Sequence, residues 1–220
     1  SPDIVAISVL FSNLLESAHN IARIVKKVKK DIPVILGGNH ISSAVSDYKI
    51  AKIDKNSGLP KIINDLEDEN FDLAMSGEGE FSFLELVNRL INKEDISKVP
   101  GLVKKIGHEK YLINPSTRVH DLNLLPRPAR HLVDMEAYFK IGAFHSAKSR
   151  SKRVLSVMCS RGCPEKCTFC STPQMWGNNT RWRSTEHIMS EIGNDVRDFK
   201  IGEIQFDDDT ITVNKKNLYS

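Results

Sequence analysis

A chain of 220 residues has room for one or two domains with real cores. Its hydrophobic share of 40% and charged share of 27% are those of a globular protein, and no apolar run approaches the ~20 residues that span a bilayer. The net charge, 31 basic minus 28 acidic residues or +3, is too small to argue for a nucleic-acid partner.

The opening "SPDIVAISVLFSN" has neither the basic n-region nor the small-residue cleavage site of a secretory signal, so a cytoplasmic, reducing setting is expected. Within it "DIVAISVL" (Asp3 to Leu10) is short, β-branched and apolar, which predicts a buried parallel strand. Leu14, Ala18, Ile21, Val25 and Val28 then mark one face of an amphipathic helix, closed by a run of lysines that suits the helix dipole. "PVILGG" (Pro33 to Gly38) predicts a second strand and "FDLAMSG" (Phe71 to Gly77) a third. The polar stretch between them, Ser42 to Asn70, gives no clear period. Phe83, Leu84, Val87, Leu90 and Ile91 stripe another helix. Strand and helix alternating in this rhythm predict an α/β fold with a parallel sheet.

"VPGLVKKIGHEKYLINP" (Val99 to Pro115) reads as a small hairpin, and "DLNLLPRPARHLVD" (Asp121 to Asp134), with two prolines, as a linker. A second α/β segment opens with the strand "RVLSVMCS" from Arg153. A helix follows over Ser184 to Phe199, with Ser184 as N-cap and Ile188, Ile192 and Val196 at every fourth place. "EIQF" (Glu203 to Phe206) is the next strand, with "DDDT" at its end. The expected division is 1–97, an incomplete first domain; 98–150, hairpin and linker; and 151–220, the start of a second domain. Both ends look cut, so a piece of a longer protein, inactive alone, is expected.

All four cysteines lie between Cys159 and Cys170, and Cys163, Cys167 and Cys170 share one short loop after a strand. Without a signal peptide such a cluster argues for metal rather than disulfides. Thiolates select zinc or iron–sulfur clusters. A closed zinc site takes four ligands, usually as two separated pairs, whereas this loop has one CxxC preceded by a cysteine four residues earlier. A zinc knuckle that recruits Cys159, and with it a non-catalytic binding module, is the competing reading. In the first reading Cys159 is a small apolar residue at the strand end.

The spacing Cys163-x3-Cys167-x2-Cys170, with Phe169 before the last cysteine, resembles the cluster loop of radical S-adenosylmethionine (SAM) enzymes. That resemblance implies that the three cysteines bind a 4Fe-4S cluster whose open iron chelates SAM. It places Phe169 near the adenine and Asp208 or Asp209, in "IQFDDDTITVN", near the amino group or ribose of the cofactor. The order of elements before the loop is similar to the cobalamin-binding domain of one large subfamily. By that likeness Ser8 and Leu10 are an SxL element and Gly37 and Gly38 a GG element lining the slot for the nucleotide tail, and Gly77, Glu78, Gly79 and Glu80 close the same edge. The implied fold is a Rossmann-like cobalamin-binding domain followed by the first part of a radical SAM (β/α) partial TIM barrel.

The DxHxxG histidine of many such domains is absent, so the lower cobalt ligand stays open; His40, after the GG pair, is read as a hydrogen-bonded histidine instead. The implied activity is reductive cleavage of SAM to a 5′-deoxyadenosyl radical, with cobalamin methylating an unactivated carbon. A radical cyclisation or rearrangement is the alternative within the subfamily. A small-molecule substrate and an electron donor such as flavodoxin or ferredoxin are the expected partners.

Overall fold

Val5–Ser8 (β1), Val34–Gly37 (β2) and Leu73–Met75 (β3) pair in parallel, with Ser8 opposite Gly37 and Leu36 opposite Ala74. The structure is a computed structural model that describes residues 2–60, 63–142, 149–215 and 219. Two compact units divide it, Ser1–Arg118 and Val119–Ser220.

In the first unit the three parallel strands are all short apolar runs, as the sequence predicts. β2 alternates its side chains between two cores: Val34 and Leu36 face one, Ile35 the other, and all three are buried. Helices Leu15–Val28 (α1) and Asn39–Ile53 (α2) cover the first core, and Ser82–Asn92 (α3) covers the second. The hairpin of Leu102–Gly107 (β4) and Lys110–Ile113 (β5) does not stand apart. β4 pairs antiparallel with β3, giving one sheet in the order β1-β2-β3-β4-β5, and Val103 and Leu102 bury one into each core.

The helical stripes differ in detail from the expected ones. α1 buries Ala18 and Ala22, small residues that let it lie close to the sheet, while Leu14, Ile21 and Val28 stay exposed. α3 turns Leu86 fully inward and leaves Leu84 and Ile91 exposed. α2 fills part of the stretch that gave no period. It buries Ile41, Val45, Tyr48 and Ala51, which is a helical stripe, but exposed Ile50 and Ile53 blur the pattern. Residues 61 and 62 of that stretch, and 143–148 of the expected linker region, lie outside the described residues.

The second unit is built on one β-α-β arrangement. Val154–Val157 (β6) pairs in parallel with Glu203–Phe206 (β9), four rungs from Val154 opposite Glu203 to Val157 opposite Phe206. Between them lie Ser160–Arg161 (β7), Thr172–Met175 (α5), Arg181–Trp182 (β8) and the helix Thr185–Phe199 (α6). Met135–Ile141 (α4) supplies Met135 and Phe139 to a small core with Ile201. Two caps work as read or as the residue types suggest: Ser184 Oγ accepts from His187 N at 3.1 Å, and Asp134 Oδ1 from Ala137 N at 3.1 Å.

The inward face of α6 is not its apolar stripe. Val196 is exposed, and the deeply buried residues are Glu191 and Asp195. Arginines compensate them. Glu191 pairs with Arg130 at 3.0 Å and Arg183 at 2.5 Å; Asp195 lies 3.1 Å from Arg130 and 3.4 Å from Arg127. The expected linker is thus fastened to α6 by the two arginines of its "RPAR" run.

Two predictions follow from backbone and charge. Gly38 sits at φ +95°, and an added Cβ would lie 2.5 Å from Val9 O, whereas at Gly37 it would meet only Met75 O at 3.9 Å. Gly38→Ala is expected to destabilise the first unit by about 2–3 kcal/mol and Gly37→Ala by less than ~1 kcal/mol, measured by urea unfolding. Glu191→Ala takes away the buried carboxylate that Arg130 and Arg183 share, leaving Arg130 with Asp195 and Arg183 with the Met158 carbonyl, and is expected to cost about 3 kcal/mol of the second unit's stability in the same assay.

Candidate functional site: the cysteine loop and the strand ends

β6 ends at Val157, and the chain turns through Met158 and Cys159 into β7, which pairs antiparallel with β8, Ser160 opposite Trp182 and Arg161 opposite Arg181. The residues between these two short strands form the loop that carries Cys163, Cys167 and Cys170. Gly162 opens it at φ +96°; an added Cβ would lie 2.6 Å from Asn179 O and 2.9 Å from Gly177 O. Only glycine suits that close approach. Cys163 N–H donates to Gly177 O at 3.3 Å, and Cys170 N–H to Cys167 O at 3.1 Å, so the CxxC segment is a turn. The Arg161 guanidinium stacks over Trp176, 4.8 Å from the ring centroid.

Cys163 is buried, Cys167 and Cys170 are exposed, and none of the four cysteines is in a disulfide. Phe169 is 91% exposed, an unusual state for an aromatic ring between two thiols. Cys159 is buried at the end of β6; burial first, then the neighbouring Asp208 carboxylate, pushes its thiol up to about 12.

The end of β9 lies beside this loop. Asp207 N–H donates to Val157 O at 3.0 Å, continuing the strand pairing by one step. Asp208 then accepts from Cys159 N at 3.1 Å through one oxygen, and from Ser160 N and Ser160 Oγ at 2.5 Å each through the other. Thr172 Oγ1 donates to Asp209 Oδ1 at 2.9 Å. Thr210 Oγ1 is 3.3 Å from Cys163 Sγ. On the other flank Arg183 N–H donates to Cys159 O at 2.9 Å and Arg183 Nη1 to Met158 O at 2.9 Å, with Glu191 holding the guanidinium. Of these, the sequence singled out the acids. The contacts of Thr210 with Cys163 and of Arg183 with the Met158 and Cys159 carbonyls went unnoticed, because they are set by strand register rather than by spacing.

In the first unit the expected binding residues gather at the carboxyl ends of β1, β2 and β3, where ligands of open α/β sheets bind. Ser8 and Leu10 are exposed on either side of buried Val9, whose N–H donates to Gly37 O at 2.9 Å. Gly38 follows Gly37 in the sharp turn into α2. Gly77 (φ +87°) donates its N–H to Ser42 Oγ at 3.0 Å. Glu78 is buried, Glu80 exposed, and Gly79 O receives Phe83 N at 2.7 Å as α3 starts.

His40 has both ring nitrogens engaged, Nδ1 with Ser12 Oγ at 2.8 Å and Nε2 with the buried Asp65 at 3.1 Å. His19 is 2.5 Å from Asp68 and its other nitrogen 3.7 Å from Asp65, which extends the chain of polar contacts. A cavity of about 230 Å³ lies against Ser12, His40 and Asp65. His40 is thus the hydrogen-bonded histidine the sequence suggested.

Among the described residues no three His, Cys, Asp or Glu side chains converge into a ready metal site. The fit of a cluster to the cysteine loop therefore rests on donor chemistry. Three unpaired thiols share one loop whose start, middle and end are all tied to β9, and the exposed pair sits on a turn. Soft thiolates in that number suit iron–sulfur chemistry.

No family model matches the chain. It is 29% identical, over 96% of its length, to cytidylyl-2-hydroxyethylphosphonate methyltransferase of Streptomyces wedmorensis, covering 40% of that protein. It is 27% identical, over 93% of its length, to the cobalamin-dependent radical SAM methyltransferase TokK of Streptomyces tokunonensis, covering 28% of it. Its fold superposes with a TM-score of 0.65 and 18% identity on the cobalamin-dependent SAM radical enzyme OxsB, solved with aqua-cobalamin and SAM, over 94% of this chain and 26% of that one. The chain thus spans less than half the length of each. Along nearly its whole length, then, this chain is similar in sequence to two methyltransferases, one of them a cobalamin-dependent radical SAM enzyme, and it shares the α/β fold of OxsB.

Proposed function

We propose that this chain carries the cobalamin-binding and cluster-binding segments of a radical SAM methyltransferase that acts on a small molecule. The observation that carries the reading is the set of three unpaired thiols on the loop between β6 and the acidic end of β9. Cys163, Cys167 and Cys170 hold a 4Fe-4S cluster. When bound, the cluster and cobalamin supply, respectively, the electron that cleaves SAM to a 5′-deoxyadenosyl radical and the methyl group for an unactivated carbon.

The residues of the chain bind and orient. Phe169 offers its exposed ring to the adenine. Asp209, the more exposed of the two acids, accepts from the amino group or ribose of SAM. Ser8, Leu10, Gly37 and Gly38 line the slot for the nucleotide tail of cobalamin, and Gly77 to Glu80 close its edge. At Gly37 no described residue crowds the position of a side chain, which supports a ligand pressed against the backbone there. The exposed side of the loop is open to an electron donor of the flavodoxin or ferredoxin kind. Methylation is favoured over cyclisation because the two relatives described above both transfer methyl groups.

Anaerobic reconstitution with iron and sulfide is expected to give a brown protein with about four irons per chain and a reduced-state EPR signal of a 4Fe-4S cluster. Cys163→Ala, Cys167→Ala and Cys170→Ala should each lose most of the iron, and Cys159→Ala should keep it. One tightly bound zinc, or full iron in the three single variants, would overturn the proposal.

Thiol chemistry gives an independent check. Burial, and then the neighbouring Asp208 carboxylate, push the Cys159 thiol well above the ordinary thiol range, so it carries little thiolate at about pH 8. In the metal-free chain iodoacetamide is expected to alkylate Cys167 and Cys170 rapidly and Cys159 hardly at all, as read by peptide mass spectrometry. Equal labelling of Cys159 would restore the four-thiolate zinc site as a contender.

A further inference from the structure

We infer that the end of β9 is a clamp that shapes the cysteine loop before any cofactor arrives, with Asp208 and Thr210 as its positioning residues. Consecutive residues of one strand end reach three separate parts of the loop. Asp208 takes its first turn, at Cys159 and Ser160; Thr210 takes the sulfur of Cys163 in its middle; Asp209 takes Thr172 just past Cys170. The resemblance placed Asp208 or Asp209 near the SAM cofactor. Here both its carboxylate oxygens are taken up by two backbone N–H groups and a hydroxyl of the loop.

The physical need for a clamp is entropic. The loop has little regular structure of its own, and three thiolates must meet one cluster. Ordering it only at the moment of metal binding would subtract from the affinity. Strand pairing of β6 with β9 depends on backbone alone, so it brings Asp208 to the loop without metal. A carboxylate suits this task because each oxygen can accept, and bonds to an ionised acceptor are the stronger kind. Thr210 adds a second effect. With Cys163 as a thiolate ligand, the Thr210 hydroxyl is the donor, and a hydrogen bond to a ligating sulfur raises a cluster's reduction potential.

The clamp is tested on the whole metal-free chain by amide hydrogen exchange. Asp208→Asn replaces one accepting oxygen by a donor facing an N–H. Exchange at Cys159 and Ser160 is expected to rise about tenfold or more, while the β6 amides stay protected. Should Asp208→Asn fail to fold by circular dichroism, Ser160→Ala removes one bond of the same set and should raise exchange at Ser160 by a smaller factor. Unchanged exchange at these amides in the folded variant overturns the clamp.

The Thr210 arm rests on the cluster reading above and uses reconstituted protein. Thr210→Val should keep wild-type iron and EPR spectrum but shift the potential to a more negative value, and Thr210→Ser should restore it. An unshifted potential with iron intact overturns the role of Thr210 and leaves the cluster standing. A wild-type chain that takes up no iron overturns both, while the exchange measurement still reads Asp208.

Discussion

The parallel register of β6 and β9 is the constraint on which the second unit depends. Four rungs, extended by the Asp207 to Val157 hydrogen bond, bring residues 208–210 level with the residues that leave β6. Because side chains alternate along a strand, a slip of one residue would send Asp208 to the other side and leave the Cys159 and Ser160 amides without an acceptor. The position of the Cys163 thiol then follows from the pairing: Asp208 sets the turn, Gly162 lets the chain pass close to Gly177 and Asn179, and Cys163 is delivered to Thr210.

A second set of interactions fixes the same turn from behind. Arg183 holds the carbonyls of Met158 and Cys159, and Glu191 of α6 holds Arg183. Burying Glu191 and Asp195 is costly. Burial pushes the Asp195 carboxyl above the ordinary carboxylate range, and Arg130 and Arg127 only partly offset this. Its oxygens lie within ion-pair distance of both guanidinium groups but lack hydrogen-bond geometry to them. A pair of this kind adds little net stability over an apolar packing. What it supplies is placement: Arg130 bridges α6 and the Ser156 carbonyl of β6, so the run before α4, the helix and the strand keep one arrangement.

These devices explain which features the sequence disclosed. β1, β2, β3 and β6 were legible as short, mostly apolar runs and β9 by its place after a helical stripe, and the thiols stood out by number and spacing. α2 was hidden because Ile50, between the buried Tyr48 and Ala51, and Ile53, past them, point outward and blur the stripe. The inner face of α6 was hidden because its buried residues are acids, whose partners Arg127 and Arg130 lie some sixty residues earlier. The hairpin was legible as a hairpin, but its union with β3 depends on Met75 facing Leu102, a pairing between segments that no local signal joins. Ser12 and Asp65 around His40 belong to the same class: contacts across the fold, invisible to spacing.

Glycines at the strand ends divide by the same physical test. Gly38, Gly77 and Gly162 each have positive φ and a neighbour within 2.6 Å of where a Cβ would stand. Their own backbones therefore account for them, with no ligand invoked. Gly37 is different. It lies in β2 opposite Ser8, without positive φ, and has room for a methyl group. Glycine in a strand forfeits packing and adds unfolded-chain entropy. The GG pair thus splits into Gly38, which the turn requires, and Gly37, which the described fold does not, lying beside exposed Ser8 and Leu10 at the ends of β1 and β2. A ligand of the proposed kind would meet bare backbone there.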